Sequence, residues 1–199
     1  MTGPIRASNG RIILIRHGET SWSATGKHTG RTDIELTGPG ELAATNVAAL
    51  LPTQPDLVLC SPLKRAQRTA ELAGLVVSRT EPDLMEWDYG NWEGKTTPEI
   101  RQALDDPTWL IWDHPIPGGE QLSDVAIRVD RVIAEVQPTI DTGGTAVLVA
   151  HGHVLRILAA RWLGQTPIDG RYLALDPATI SILGFEHEEH VINVWNSPR

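Results

Sequence analysis

The chain has 199 residues, 41% of them apolar, and a formal net charge of −8. That length and apolar share suit one domain with a sizeable core, and the acidic balance excludes the basic face of a nucleic-acid binder while leaving room for a positive pocket. Cys60 is the only cysteine, which excludes an internal disulfide framework and a thiolate zinc cluster.

Met1 to Arg11 is polar and runs into a short apolar stretch, Ile12 to Ile15, too short for a signal peptide or a membrane span. A soluble, cytoplasmic protein with no membrane partner is expected. Arg11-Ile-Ile-Leu-Ile-Arg16 predicts a strand covered on both faces, and Asp56–Cys60 and Thr145–Ala150 read the same way. Leu84-Met-Glu-Trp-Asp-Tyr-Gly90 follows another short extended segment. The least regular stretch, about 87–120, is rich in Pro and Gly and holds Trp87, Trp92, Trp109 and Trp112, four of the seven tryptophans. A substrate-covering, lid-like segment is expected there, with aromatics of a satellite core as the alternative.

Leu122, Val125, Ala126, Val129, Ile133 and Val136 fall at helical spacing, with Pro138 ending the helix. Asp124 with Arg128, and Arg131 with Glu135, read as surface pairs at four-residue spacing on it. Val154, Leu155, Leu158, Ala159 and Trp162 mark another helix, closed by Gly164. Thr179–Phe185 and Val191–Trp195 read as strands joined by a polar turn, with His187 and His190 at the surface. Strands alternating with helices predict a single α/β domain over 1–199. Its sheet is mostly parallel, with helices on both faces, in three layers.

In such sheets, ligands bind outside the carboxyl ends of the strands. The three buried runs end in Arg16-His17-Gly18, in Ser61-Pro-Leu-Lys-Arg65 and in His151-Gly152-His153. Two arginines and two or three histidines thus converge on one rim, a donor set suited to a phosphoryl group, with arginine offering a bidentate fork. Helices beginning after Ser61 and His151 would add free amides. His17 can attack phosphorus, and Gly18 lets the backbone approach the phosphate closely. Glu86 is the best-placed proton donor, with Asp88 and Glu93 as alternatives. His151-x-His153 could be a metal pair, but no carboxylate lies at matching spacing, and His153 is placed in the following helix.

Arg16-His-Gly-Glu-Thr20, Ser61-Pro-Leu-Lys-Arg-Ala66, Glu86-Trp-Asp-Tyr-Gly90 and Ala150-His-Gly152 resemble the four signature blocks of the histidine phosphatase superfamily, in family order. The resemblance implies a phosphoglycerate mutase-like fold and assigns roles. His17 would be the phosphorylated nucleophile, and Arg16, Arg65 and a protonated His151 the phosphate pocket. Glu86 would be the general acid and then the base. Trp22–Gly30 is similar to the family's substrate loop, so that Ser23, Thr29, Gly30, Tyr89 and Gly152 join Arg16 and Arg65 in substrate binding. Lys27 and His28 would face either a distal phosphate or solvent. Arg68, where many relatives have Gln, lies one turn past Arg65 and is not assigned to the pocket. Phosphoglycerate mutases share Thr29-Gly30 and Glu86-x-x-Tyr89-Gly90. They usually carry a longer insertion and a C-terminal tail, and Gly90-Asn-Trp-Glu-Gly94 looks more like phosphatase members. Trp22-Ser, His28-Thr-Gly30 and Trp109-Leu-Ile-Trp112 also resemble actinobacterial acid phosphatases and fungal sedoheptulose bisphosphatases.

The expected function is hydrolysis of small phosphate monoesters, sugar phosphates among them, through phosphohistidine, without metal or cofactor. The expected partner is a small phosphorylated metabolite, and a homodimer is allowed. A cofactor-dependent phosphoglycerate mutase is the alternative enzyme. A catalytically silent phospholigand-binding module is the alternative of another class.

Overall fold

The computed structural model describes residues 10–197; residues 1–9, most of the polar lead-in, and residues 198–199 lie outside the described residues. The strands are β1 (Arg11–Arg16), β2 (Leu57–Cys60), β3 (Arg79–Thr80), β4 (Thr145–Ala150), β5 (Ile180–Glu186) and β6 (Glu189–Val194). The α-helices are α1 (Ser21–Ala24), α2 (Gly38–Val47), α3 (Lys64–Leu72), α4 (Thr97–Leu104), α5 (Leu122–Asp141) and α6 (Gly152–Trp162).

One sheet runs β3-β2-β4-β1-β5-β6. The first four strands are parallel, and β5 and β6 join as an antiparallel hairpin. Helices cover β1 on both faces, which is why an unbroken aliphatic run suits it. Ile12 and Leu14 point to a core shared with α5 and α6, and Ile13 and Ile15 to a second core shared with α2 and α3. No helix among the described residues is long and apolar enough to cross a membrane.

Several local expectations are corrected. Pro138 lies inside α5, which continues to Asp141. The Ala134 carbonyl that loses its helical donor is on an exposed residue, where water can serve it. The surface pairs on α5 do not form. Arg128 is buried and binds Glu120, Arg131 binds Asp83, and Glu135 binds Arg79; the side chain of Asp124 accepts from the Gln121 amide at 2.8 Å. The short extended segment expected before Leu84 is β3, and a 3-10 turn, Pro82–Leu84, leads from it to Glu86.

The tryptophan-rich stretch contributes Trp87, Tyr89, Trp109 and Trp112 to the α5/α6 core itself rather than to a satellite. Trp87 and Trp112 meet edge to face at 5.8 Å. The stretch also contains a regular helix, α4, capped by Thr96 and Glu99 in reciprocal hydrogen bonds.

Candidate active site

The carboxyl ends of β1, β2 and β4 meet, as the strand-end reading expects. His17 N donates to the Ala150 carbonyl at 2.9 Å, carrying the parallel register one residue past β1. The ring of His17 is pinned by a 2.6 Å bond from Nδ1 to the Gly18 carbonyl. A carbonyl only accepts, so Nδ1 carries the hydrogen and Nε2 keeps its lone pair. Burial, then the charges of Arg65 and Arg16, hold the imidazole well below its usual titration range. The ring is therefore neutral, as a nucleophile must be.

Gly18 is required by packing. A Cβ there would lie 2.5 Å from the Gly40 carbonyl, and a Cβ on Gly40 would lie 2.3 Å from the Glu19 carbonyl. The first turn of α2 thus sits flush on the turn that follows the nucleophile, and Thr37 fixes it there by donating to the Glu19 carboxylate at 2.8 Å.

Beneath His17 lies Arg65, fully buried. Its Nε donates to His151 Nδ1 at 3.1 Å, its Nη1 to the Thr32 carbonyl at 2.9 Å, and its Nη2 to the carbonyls of Gly30 at 2.8 Å and Thr29 at 3.1 Å. Of the five guanidinium hydrogens one remains, so Arg65 does not present the expected open fork. His151 is also corrected. Because Nδ1 accepts from Arg65, the ring is neutral rather than protonated, and Nε2 donates to Ser61 Oγ at 2.7 Å. Burial, Arg65 and His17 push its titration well down. The two imidazoles lie 5.1 Å apart.

Glu93 shapes this floor from the other side. Its carboxylate takes the amides of Gly30 at 2.9 Å and Thr32 at 3.1 Å, aiming the carbonyls of that loop at Arg65. Asp88 accepts from the Gly90 amide and faces Arg31 at 3.7 Å. Neither alternative acid lines the cavity.

Glu86 does. Its Oε1 accepts from the amides of Trp87 at 2.9 Å and Val154 at 3.0 Å, and its Oε2 from that of His153 at 3.0 Å. The amides at the start of α6 are therefore held by the chain's own carboxylate rather than free. At α3 the Lys64 amide likewise binds Asp33 at 2.8 Å. The segment carrying Glu86 is clamped by Arg128, which donates to the carbonyls of Asp83 at 2.7 Å and Met85 at 2.6 Å while pairing with Glu120. Glu120 in turn accepts from the Asp88 amide at 2.9 Å.

These groups open onto a cavity of about 230 Å³. It is lined by Arg16, His17, Ser23, Thr29, Glu86, Tyr89 and Gly152 among the expected residues, and by Lys27 and His28. Arg65, His151 and Gly30 lie outside its lining. Ser23 reaches the wall while its hydroxyl is engaged with Thr20 in the cap of α1. Arg16 donates Nη1 to the Leu175 carbonyl, and its buried Nε has no hydrogen-bond partner. Arg68 pairs with Glu41 and Glu71 in a different groove, between α2 and α3.

The sequence reading missed Arg156 and Leu175, took Glu93 only as an alternative acid, and weighed His153 only as one of a metal pair. Arg156 was findable: it lies four residues past Gly152, hence on the same face of α6. His153 is in α6, as expected, but lines the cavity and bonds Tyr89 Oη at 2.6 Å. Leu175 acts through its carbonyl and leaves no side-chain signal.

The model of the histidine phosphatase superfamily (branch 1) matches residues 12–198. The chain is 41% identical to an acid phosphatase of Mycobacterium tuberculosis, over 90% of this chain and 88% of that one. It is 33% identical to sedoheptulose 1,7-bisphosphatase of Saccharomyces cerevisiae, over 77% of this chain and 68% of that one. A solved structure of a Mycobacterium tuberculosis open reading frame product superposes with a TM-score of 0.89 at 40% identity, covering 94% of this chain and 97% of that one. Strand-end histidine, buried arginine and matching relatives agree: the chain belongs to the histidine phosphatase superfamily, branch 1.

Proposed function

We propose that the protein is a phosphatase that hydrolyses small phosphate monoesters, sugar phosphates among them, by way of phosphohistidine at His17. The observation that carries this reading is the pinned, neutral imidazole of His17 lining the same small cavity as Glu86. A binding-only site needs neither a fixed nucleophilic lone pair nor a carboxyl group beside it.

In the first step Nε2 of His17 attacks phosphorus in line. The bond from phosphorus to the alcohol oxygen breaks as the protonated Glu86 carboxyl gives that oxygen its hydrogen. In the second step the Glu86 carboxylate takes a proton from water as the water oxygen attacks phosphorus. The phosphorus–nitrogen bond then breaks, its electron pair returns to Nε2, and phosphate leaves. Arg16, which lines the cavity, meets the phosphoryl oxygens as their charge develops. Arg65 and His151 hold the floor under His17, and Arg65 keeps one hydrogen for the phosphate. Charge is met by guanidinium groups, so we assign no metal to either step. Turnover is expected to survive chelation by EDTA. The lone, buried Cys60 suits the reducing cytoplasm.

Rapid quenching with labelled substrate tests the reading. Acid-labile phosphate is expected on His17, with inorganic phosphate released at each turnover, and His17→Ala is expected to keep the fold and lose turnover. Full activity of that variant would overturn the proposal. A phosphoenzyme that rephosphorylates an alcohol instead of releasing phosphate would mark a mutase.

A further inference from the structure

The imidazole of His17 is aimed by the bond from Nδ1 to the Gly18 carbonyl, so its direction is only as firm as the Gly18 backbone. On the strand side that backbone is tied by His17 N, which donates to the Ala150 carbonyl. On the helix side the Gly18 amide donates to Oγ1 of Thr69 at 3.0 Å. Thr69 lies on α3, four residues past Arg65, and both residues are fully buried. One face of α3 thus reaches the floor through Arg65 and the catalytic turn through Thr69.

The direction of these bonds is fixed. The Thr69 hydroxyl donates its one hydrogen to the Arg65 carbonyl at 2.7 Å, which leaves its lone pairs to accept the Gly18 amide. A hydroxyl turned back on the carbonyl four residues earlier is common in helices. Acceptance of an amide from a different element is not something the helix itself needs. Because Thr69 is out of reach of water, a Gly18 amide deprived of this acceptor would have to shift to find another. The carbonyl that holds Nδ1 would shift with it. In-line attack tolerates little of that, since misplacement by about 1 Å can cost roughly 10²-fold in rate.

We propose that Thr69 is a positioning residue for the nucleophile: through the Gly18 amide it keeps the His17 imidazole in line with phosphorus. It does so from outside the cavity lining, without touching substrate. The assignment rests on the phosphatase reading.

Two variants separate the hydroxyl from the bulk of the side chain. Thr69→Val keeps the shape and loses the hydroxyl, and Thr69→Ser keeps the hydroxyl and loses a methyl group. Rapid quenching with labelled p-nitrophenyl phosphate and with a labelled sugar phosphate reads how fast His17 is phosphorylated as substrate is raised. Thr69→Val is expected to lower the limiting rate roughly 10- to 100-fold, equally for both esters, with half-saturation near the wild-type concentration. Equal slowing distinguishes Thr69 from Glu86, whose loss depends on the leaving group. Thr69→Ser is expected to keep most of the rate, whatever it loses in melting temperature. Thr69→Ala, which leaves room for a water at the Gly18 amide, carries the test if Thr69→Val does not fold. A folded variant without the hydroxyl that phosphorylates at the wild-type rate would overturn the assignment and leave the phosphatase reading standing. So would a Thr69→Ser enzyme as slow as Thr69→Val. Absence of phosphate on His17 in the wild-type enzyme would overturn the phosphatase reading, and the assignment with it.

Discussion

The floor beneath His17 and the mouth above it use the same residue types in opposite ways. In the floor, Arg65 spends four of its five hydrogens on His151 and on the carbonyls of Thr29, Gly30 and Thr32. At the mouth, among the described residues, Arg16 Nε has no hydrogen-bond partner, and Arg156 takes two carbonyls and the Trp112 ring rather than a carboxylate. Water cannot reach the floor, so the donors there, all but one hydrogen of Arg65, are matched by the chain. A donor matched in this way holds geometry and discriminates little between substrates. Donors left open at the mouth can discriminate. Changes in the floor should therefore hurt all esters alike, and changes at the mouth should hurt them selectively.

The largest expected effect lies where the two regions meet, at Glu86. Its proton matters most when the leaving oxygen is a poor one. Glu86→Gln should slow a sugar phosphate by roughly 10²- to 10⁴-fold. Phosphorylation of His17 by p-nitrophenyl phosphate should suffer much less, because nitrophenolate departs without a proton. Stopped-flow mixing should then show a burst of nitrophenol before a slow steady rate. Equal slowing of the first step for both esters would remove Glu86 as the acid.

Arg65→Ala comes next. Loss of the floor should lower kcat/KM by roughly 10²- to 10³-fold, to the same extent for alkyl and aryl esters. A selective loss would break the distinction between floor and mouth.

Glu93→Gln probes the floor at one remove. It keeps the size of the side chain but weakens its hold on the Gly30 and Thr32 amides. We expect about a 10-fold fall in kcat/KM across esters, in line with a hydrogen bond to a charged group.

The smallest effect concerns pH. His17, His151 and His153 titrate well below 6.5 in the folded protein, and His28 at about 4, chiefly through burial. Between those values and 6.5 the unfolded chain binds more protons than the folded one. Stability is therefore full above 6.5 and is lost progressively as pH falls below it. The melting temperature should decline between pH 7 and pH 4.5, by less in His28→Asn. The pH profile of kcat/KM should show no protonation step of the nucleophile near 6.5. A step there would mean that His17 is not buried as described.

The parts legible in the sequence were those governed by local pattern. Aliphatic runs marked β1, β2 and β4, and the residues after them marked His17, Arg65 and His151. What escaped depends on distant chain. Arg128 looked like the partner of Asp124 because both lie on α5, but it faces inward with Val125 and Val129, and the chain entering α5 brings Glu120 to it. The protonation of His151 could not be read from its neighbours in sequence, because its state follows from which nitrogen Arg65 reaches. Thr29 and Gly30 were found as residues of the site, yet both give their carbonyls to Arg65, and Gly30 stays out of the cavity lining.

The contact of Gly18 with Gly40 has a consequence for how the molecule tolerates change. Neither residue has a side chain, yet one added methyl group at either position would drive α2 away from the turn behind His17. In a scan of every single substitution scored by activity, Gly40 would rank beside the nucleophile. A map of intolerant positions would thus overstate the number of groups that do chemistry, because some of them only leave room for it.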